Sequence, residues 1–204
     1  FKVSDFVGSV ERFEWALKNK ILGQAPLNIL VKAIIKGGNL DVLKRAIKNP
    51  NRLVGHGAQY APGFEFIRHE EIWTAAELGQ THIFEWFMDQ PALHHDHFWP
   101  EPLRFAARGG HLDILKVFKA RADTYPDDDV WNPKWDGVRE AAFLAGNVEM
   151  LEWVLAHGTC EQDMRTFLLI HSDPFRYYNT ESLVVRGRLE MLQWYMARLE
   201  VENL

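Results

Sequence analysis

Residue types capable of chemistry fall in three places in this sequence. The run His94-His95-Asp96-His97 offers imidazole nitrogens and a carboxylate, a donor set that suits zinc or another transition ion. Adjacent ligands in one short loop rarely converge on a tetrahedral point, so the run reads as a polar exposed turn. Asp127-Asp128-Asp129 carries oxygens suited to calcium or magnesium, but no glycine and no spaced glutamate completes a calcium loop, and it reads as a solvated tip. Cys160, several serines and nine histidines are the candidate nucleophiles and bases, and none sits in a nucleophile elbow or a known catalytic signature. No acid/base dyad is assignable. The expectation is a chain with no catalytic residue, no metal and no cofactor.

Composition narrows the function classes further. The chain has 204 residues, 47% of them hydrophobic and 25% charged, which suits a folded, water-soluble protein with a substantial core. A net charge of -5 with no basic stripe argues against a nucleic-acid partner. No run of about 18 apolar residues exists to cross a membrane, and the first residues lack a basic start leading into an apolar core. A single cysteine excludes an intrachain disulfide and fits a reducing, intracellular compartment, in the cytoplasm of its own or a host cell.

The elements that must position any functional side chain are announced by a phrase that opens on glycine and returns along the chain. Its copies run Gly8 to Trp15, Gly38 to Arg45, Gly79 to Trp86, Gly110 to Val117, Gly146 to Trp153 and Gly187 to Trp194. Roughly thirty to forty residues separate them, the period of helical solenoids. Leu112, Leu115 and Phe118 share one helix face, and Ile114 with Val117 widens that stripe enough to pack on both sides. An acidic residue three after the glycine (Glu11, Asp41, Asp113, Glu149, Glu190) favours the positive end of a helix, and His82 breaks that pattern. Before the glycines lie Ala75-Ala76, Ala106-Ala107 and Ala141-Ala142, small enough for helices to approach closely. Each unit therefore reads as helix, tight turn, helix, with the glycine free to take positive φ.

The stretch from Asp96 to Lys116 resembles an ankyrin repeat. Asp96, Pro102, Leu103, Ala106, Ala107, Gly110, His111, Leu112 and Asp113 fall in register with the family pattern. Glu101 and Arg104 stand where the family has threonine and histidine in Thr-Pro-Leu-His. The other units keep the inter-helix glycine and second helix and lose most of that tetrapeptide. Trp15, Trp86, Trp153 and Trp194 share one register and resemble a divergent style of the repeat found in oomycete and giant-virus genomes. The resemblance implies an all-α, ankyrin-like solenoid of about six helix-turn-helix units, a single array over residues 1–204, complete or cut from a longer one. It also implies a non-catalytic module that holds a protein partner through its concave and loop face.

Two populations of aromatics sharpen that expectation. Phe13, Phe84, Trp86, Phe118, Trp153 and Trp194 lie on the stripe read as buried. Phe66, Phe98, Trp99, Tyr125, Trp131, Trp135 and Phe175 lie in connections longer than a standard ankyrin finger, where rigid aromatics on one side of a solenoid have the composition of a binding surface. With these, His97 in the polar turn is a candidate partner contact. Family geometry adds Glu77, Arg108 and Arg186, which lie near the inter-helix turns. Apolar residues around the last segment, Met191, Leu192, Trp194, Tyr195 and Leu199, exceed what one neighbour covers and point to a truncated array or a weak homo-oligomer, against a monomer as the alternative. Two rival readings remain: a ligand- or metal-binding module built on the His94 to His97 loop, and a targeting domain of a larger enzyme.

Overall fold

A computed structural model describes residues 2–22, 26–48, 50, 67–93, 99–126, 131, 135–160, 162–164, 166–167 and 189–201. Among these, all regular structure is helical. The helices are α1 (Ser4–Val7), α2 (Val10–Lys18), α3 (Leu27–Lys36), α4 (Leu40–Lys48), α5 (His69–Glu77), α6 (Thr81–Met88), α7 (Pro100–Gly109), α8 (Leu112–Thr124), α9 (Trp135–Ala145), α10 (Val148–His157) and α11 (Leu189–Val201), with a 3-10 turn at Pro91–Leu93. No helix among the described residues is long and apolar enough to cross a membrane.

Each glycine phrase begins a second helix. Gly38, Gly79, Gly110 and Gly146 have φ between 66° and 82°, the left-handed turn that joins α3 to α4, α5 to α6, α7 to α8 and α9 to α10. The residue after the glycine then serves the next helix. Ser9, Asn39 and Asn147 accept the backbone N–H three residues on, at 3.2, 3.0 and 2.9 Å, as N-caps. The acidic residues Glu11, Asp41, Asp113, Glu149 and Glu190 lie in first turns, as the pattern requires. α7 opens on Pro100, whose missing N–H belongs to the first turn, where it would lack an intrahelical partner.

The first helices pack in chain order, α1 on α3, α3 on α5, α5 on α7 and α7 on α9. Second helices pack on their own partners and on one another, α2 with α4, α6 with α8 and α10 with α11. Between the two layers runs one continuous core that includes Phe13, Leu30, Ile34, Phe84, Leu103, Phe118, Val138 and Leu151. Ala75, Ala76, Ala106, Ala107, Ala141 and Ala142 are buried where the first helices meet, which is why those positions are small.

A ladder of polar contacts ties three of the turns to the one before. Asn39 Nδ2 donates to the Gly8 carbonyl at 3.2 Å, His82 Nε2 to the Gly38 carbonyl at 2.8 Å, and His111 Nε2 to the Glu77 carbonyl at 2.8 Å. His82, the exception to the acidic pattern, thus belongs to this ladder. The fit is close: a Cβ on Gly79 would stand 2.4 Å from His111 Nδ1, and one on Gly109 would stand 2.5 Å from the Glu77 carbonyl oxygen.

Candidate functional site

The loop aromatics divide against the expectation. Trp99 is fully buried, Trp131 is 4% exposed and Trp135 is 2% exposed, so these three are core residues and not contact residues. Trp99 sits edge-on to Phe84, ring centroids 5.8 Å apart, and lies 5.5 Å from Trp131, which in turn lies 5.6 Å from Phe118. Trp135 meets Trp153 at 5.9 Å. Large apolar bodies at the ends of the helix pairs close gaps that helices alone leave open, and burial of each removes far more apolar surface than exposure could use. Tyr125 is half exposed, and Glu77 and Arg108 are exposed. Phe66, His97, Phe98, Phe175 and Arg186 lie outside the described residues, as do the His94 to His97 loop and the Asp127 to Asp129 tip.

The tryptophan register also differs from the expectation. Phe13, Phe84 and Phe118 are fully buried, but Trp86, Trp153 and Trp194 are half-buried and Trp15 is 53% exposed. This register lies on the seam between successive second helices. There Arg45 pairs with Glu14 at 3.2 Å, Lys44 lies 5.8 Å above the Trp86 ring, and the Trp194 indole donates to Glu152. An amphipathic ring and a guanidinium can share one register because both pair with charge at such a seam. Met191 and Tyr195 of α11 are buried, whereas Met196 and Val201 are exposed.

What the helix stack presents to solvent is the other face of the first helices, in constant register. Ile29, Lys32 and Lys36 on α3, Glu70, Trp73 and Glu77 on α5, Glu101, Arg104, Phe105 and Arg108 on α7, and Gly137, Glu140 and Leu144 on α9 are its exposed or half-buried residues. Its centre is an aromatic pair bridging α5 and α7. Trp73 and Phe105 stack at 5.2 Å with 13° between their planes, and the Arg108 guanidinium lies 5.4 Å from the centroid of Phe105. Lys32 is paired with Glu70 at 2.6 Å; the shared hydrogen bond holds the lysine pKa up and the carboxyl pKa down. Arg104 reaches Glu101 at 3.3 Å and lies across Gly137, where an added Cβ would come within 3.0 Å of its Cδ. The two departures from Thr-Pro-Leu-His therefore pair with each other. Trp73 and Phe105 were findable in the sequence by aligning the first helices on their glycines, since both precede the glycine by almost the same interval.

Three further polar or ionisable groups are buried or half-buried. Arg139 on α9 is buried with Asp136 at 2.8 Å, the Gln162 carbonyl at 2.9 Å and the Phe167 ring 4.2 Å away, which fastens the segment after α10 to α9. Glu71 is buried and takes the Arg68 backbone N–H at 2.8 Å; burial pushes its carboxyl up against that hydrogen bond and the pull of Lys32. Burial likewise pushes the half-buried Cys160 thiol up, the reverse of what a nucleophile needs. Among the described residues, no group of three His, Cys, Asp or Glu side chains is placed to hold a metal ion. No family model matches the chain, and no curated protein or solved structure is significantly similar to it.

Proposed function

We propose that this chain is an ankyrin-like array that holds a protein partner on the exposed face of its first helices and performs no chemistry itself. The observation that carries the reading is the Trp73–Phe105 stack, left half-buried at the centre of a face whose rim is charged. An aromatic centre with a polar rim is the anatomy of a protein interface, and such rings supply contact area at low entropic cost. The alternation of first and second helices, the left-handed glycine turns and the registered motif of α7 and α8 support the array. Glu77 and Arg108 are exposed on this face and serve as contact residues in this reading; Tyr125, also exposed, lies at the far end of α8 from the Gly110 turn. The single cysteine and the acidic balance support an intracellular protein partner over a nucleic acid in this reading.

A photo-crosslinking side chain placed at Phe105 tests this reading against one placed at Lys116, exposed on the second-helix side. In extract of the source cells, discrete protein adducts are expected from the Phe105 position alone. Equal labelling at both positions, or none at either, removes the inner-helix face as the binding surface.

A further inference from the structure

Lys36, Glu77 and Arg108 occupy one register, two residues before the left-handed glycines that follow α3, α5 and α7. All three are exposed, and none has an ion-pair partner among the described residues. Charges one turn away behave differently, since Lys32 is held by Glu70 and Arg104 by Glu101. Because α3, α5 and α7 pack in succession, the fold sets out a row of charges without ion-pair partners among the described residues, positive, negative, positive, one per helix, with Arg108 also lying over the Phe105 ring. Packed helices lie about 8–10 Å apart. Beside the row, one helical turn nearer the helix N-termini, lie the stacked rings of Trp73 and Phe105.

We propose that this row reads an extended protein segment in the polyproline II conformation whose side chains run acidic, basic, acidic at every third residue. The proposal rests on the reading of this face as a protein-binding surface and names the class of segment it takes. Polyproline II repeats every three residues and advances about 9 Å per turn, so like-facing side chains recur at the spacing of the helices. A β-strand matches less well, because its like-facing side chains recur about every 7 Å. Proline or other apolar residues between the charged ones then fall on the aromatic pair, the usual partner of such segments. The sign pattern reads the same in both directions, so the aromatic contact to one side of the row sets the direction of the bound chain. Each exposed charge pair contributes weakly, and three together amount to a preference of about tenfold over the opposite pattern.

The test selects binders to the full chain from a displayed library of random-sequence peptides, in parallel with Phe105→Ala and with the combined reversal Lys36→Glu, Glu77→Lys, Arg108→Glu. All three residues of the reversal are exposed, and circular dichroism checks that each variant keeps its helices. The wild type is expected to enrich acidic-x-x-basic-x-x-acidic sequences. In fluorescence anisotropy a synthetic peptide of that pattern should bind about tenfold tighter than its sign-inverted counterpart, and the reversed variant should prefer the inverted one. Enriched peptides that need Phe105 but carry no such register, or a preference that survives the reversal, overturn the charge row and leave the binding face standing. Enrichment that depends on neither Phe105 nor the row overturns both.

Discussion

The Trp194 indole N–H donates to the Glu152 carboxylate across the seam between α11 and α10, and Arg198 Nη2 reaches the same carboxylate at 3.1 and 3.2 Å. Burial pushes the Glu152 carboxyl up, but the indole and the guanidinium outweigh it and hold the group below the ordinary carboxylate range. A depressed carboxylate contributes stability that is complete above its unfolded pKa and is lost as pH falls through the folded value. Glu152→Gln should therefore flatten the acid limb of the stability curve and cost about 0.5–1 kcal/mol at neutral pH, the scale of a half-exposed pair. Urea midpoints measured from neutral to acid pH check this; an unchanged acid slope in the variant rejects the assignment.

Glu71 has the opposite sign. Burial raises its folded pKa above the unfolded one, so stability falls as pH rises from the ordinary carboxylate range through the raised value. Glu71→Gln keeps an acceptor for the Arg68 N–H and removes the charge. It should abolish that fall and leave the protein at least as stable as the wild type at neutral pH. A variant that is less stable at neutral pH would show that the carboxylate charge is needed there.

Arg139 is buried and pairs with Asp136, which also accepts the Gln162 backbone N–H at 3.2 Å. Arg139→Met breaks a buried pair and the bonds to Gln162, and is expected to cost about 3–5 kcal/mol; pairing it with Asp136→Asn should recover the part that comes from the broken charge pair. Chemical denaturation of both variants decides it: additive losses would mean the two residues are not coupled.

The glycines separate by conformation. Gly79→Ala places a Cβ on His111 at φ of +68° and should destabilise by more than about 1 kcal/mol, with His111→Ala giving only partial rescue because the backbone strain persists. Gly8 has φ of -76° and no atom within 4 Å of the added carbon, so Gly8→Ala should be neutral or stabilising by about 0.4–1 kcal/mol. Thermal denaturation ranks the two, and the reverse order would contradict the turn geometry.

Trp99→Ala opens a cavity where two rings meet and should cost about 3–5 kcal/mol, whereas Phe105→Ala, on the exposed face, should cost clearly less. Binding lost in a Trp99 variant consequently reports unfolding, and binding lost in a folded Phe105 variant reports contact. Equal stability losses in the two would contradict this division.

The second helices were legible because glycine, cap and acidic residue recur at fixed offsets, and those offsets encode local physics. Burial of Trp99, Trp131 and Trp135 was not legible. A tryptophan beside a proline or in an acidic connection has no periodic signal, and its environment is made by helices distant in sequence. Trp86, Trp153 and Trp194 show the same limit from the other side, since a helical stripe says which face is apolar but not where the next helix stops covering it. The face carrying Trp73 and Phe105 emerges only when first helices are aligned on their glycines, and Arg139 gave no sequence signal because an arginine on a helix ordinarily faces water.

The turn ladder has a direction. Asn39, His82 and His111 each donate backwards, to a carbonyl made earlier in the chain. During synthesis the α3–α4, α5–α6 and α7–α8 pairs therefore each meet a finished acceptor as they emerge, and these bonds wait for no later unit.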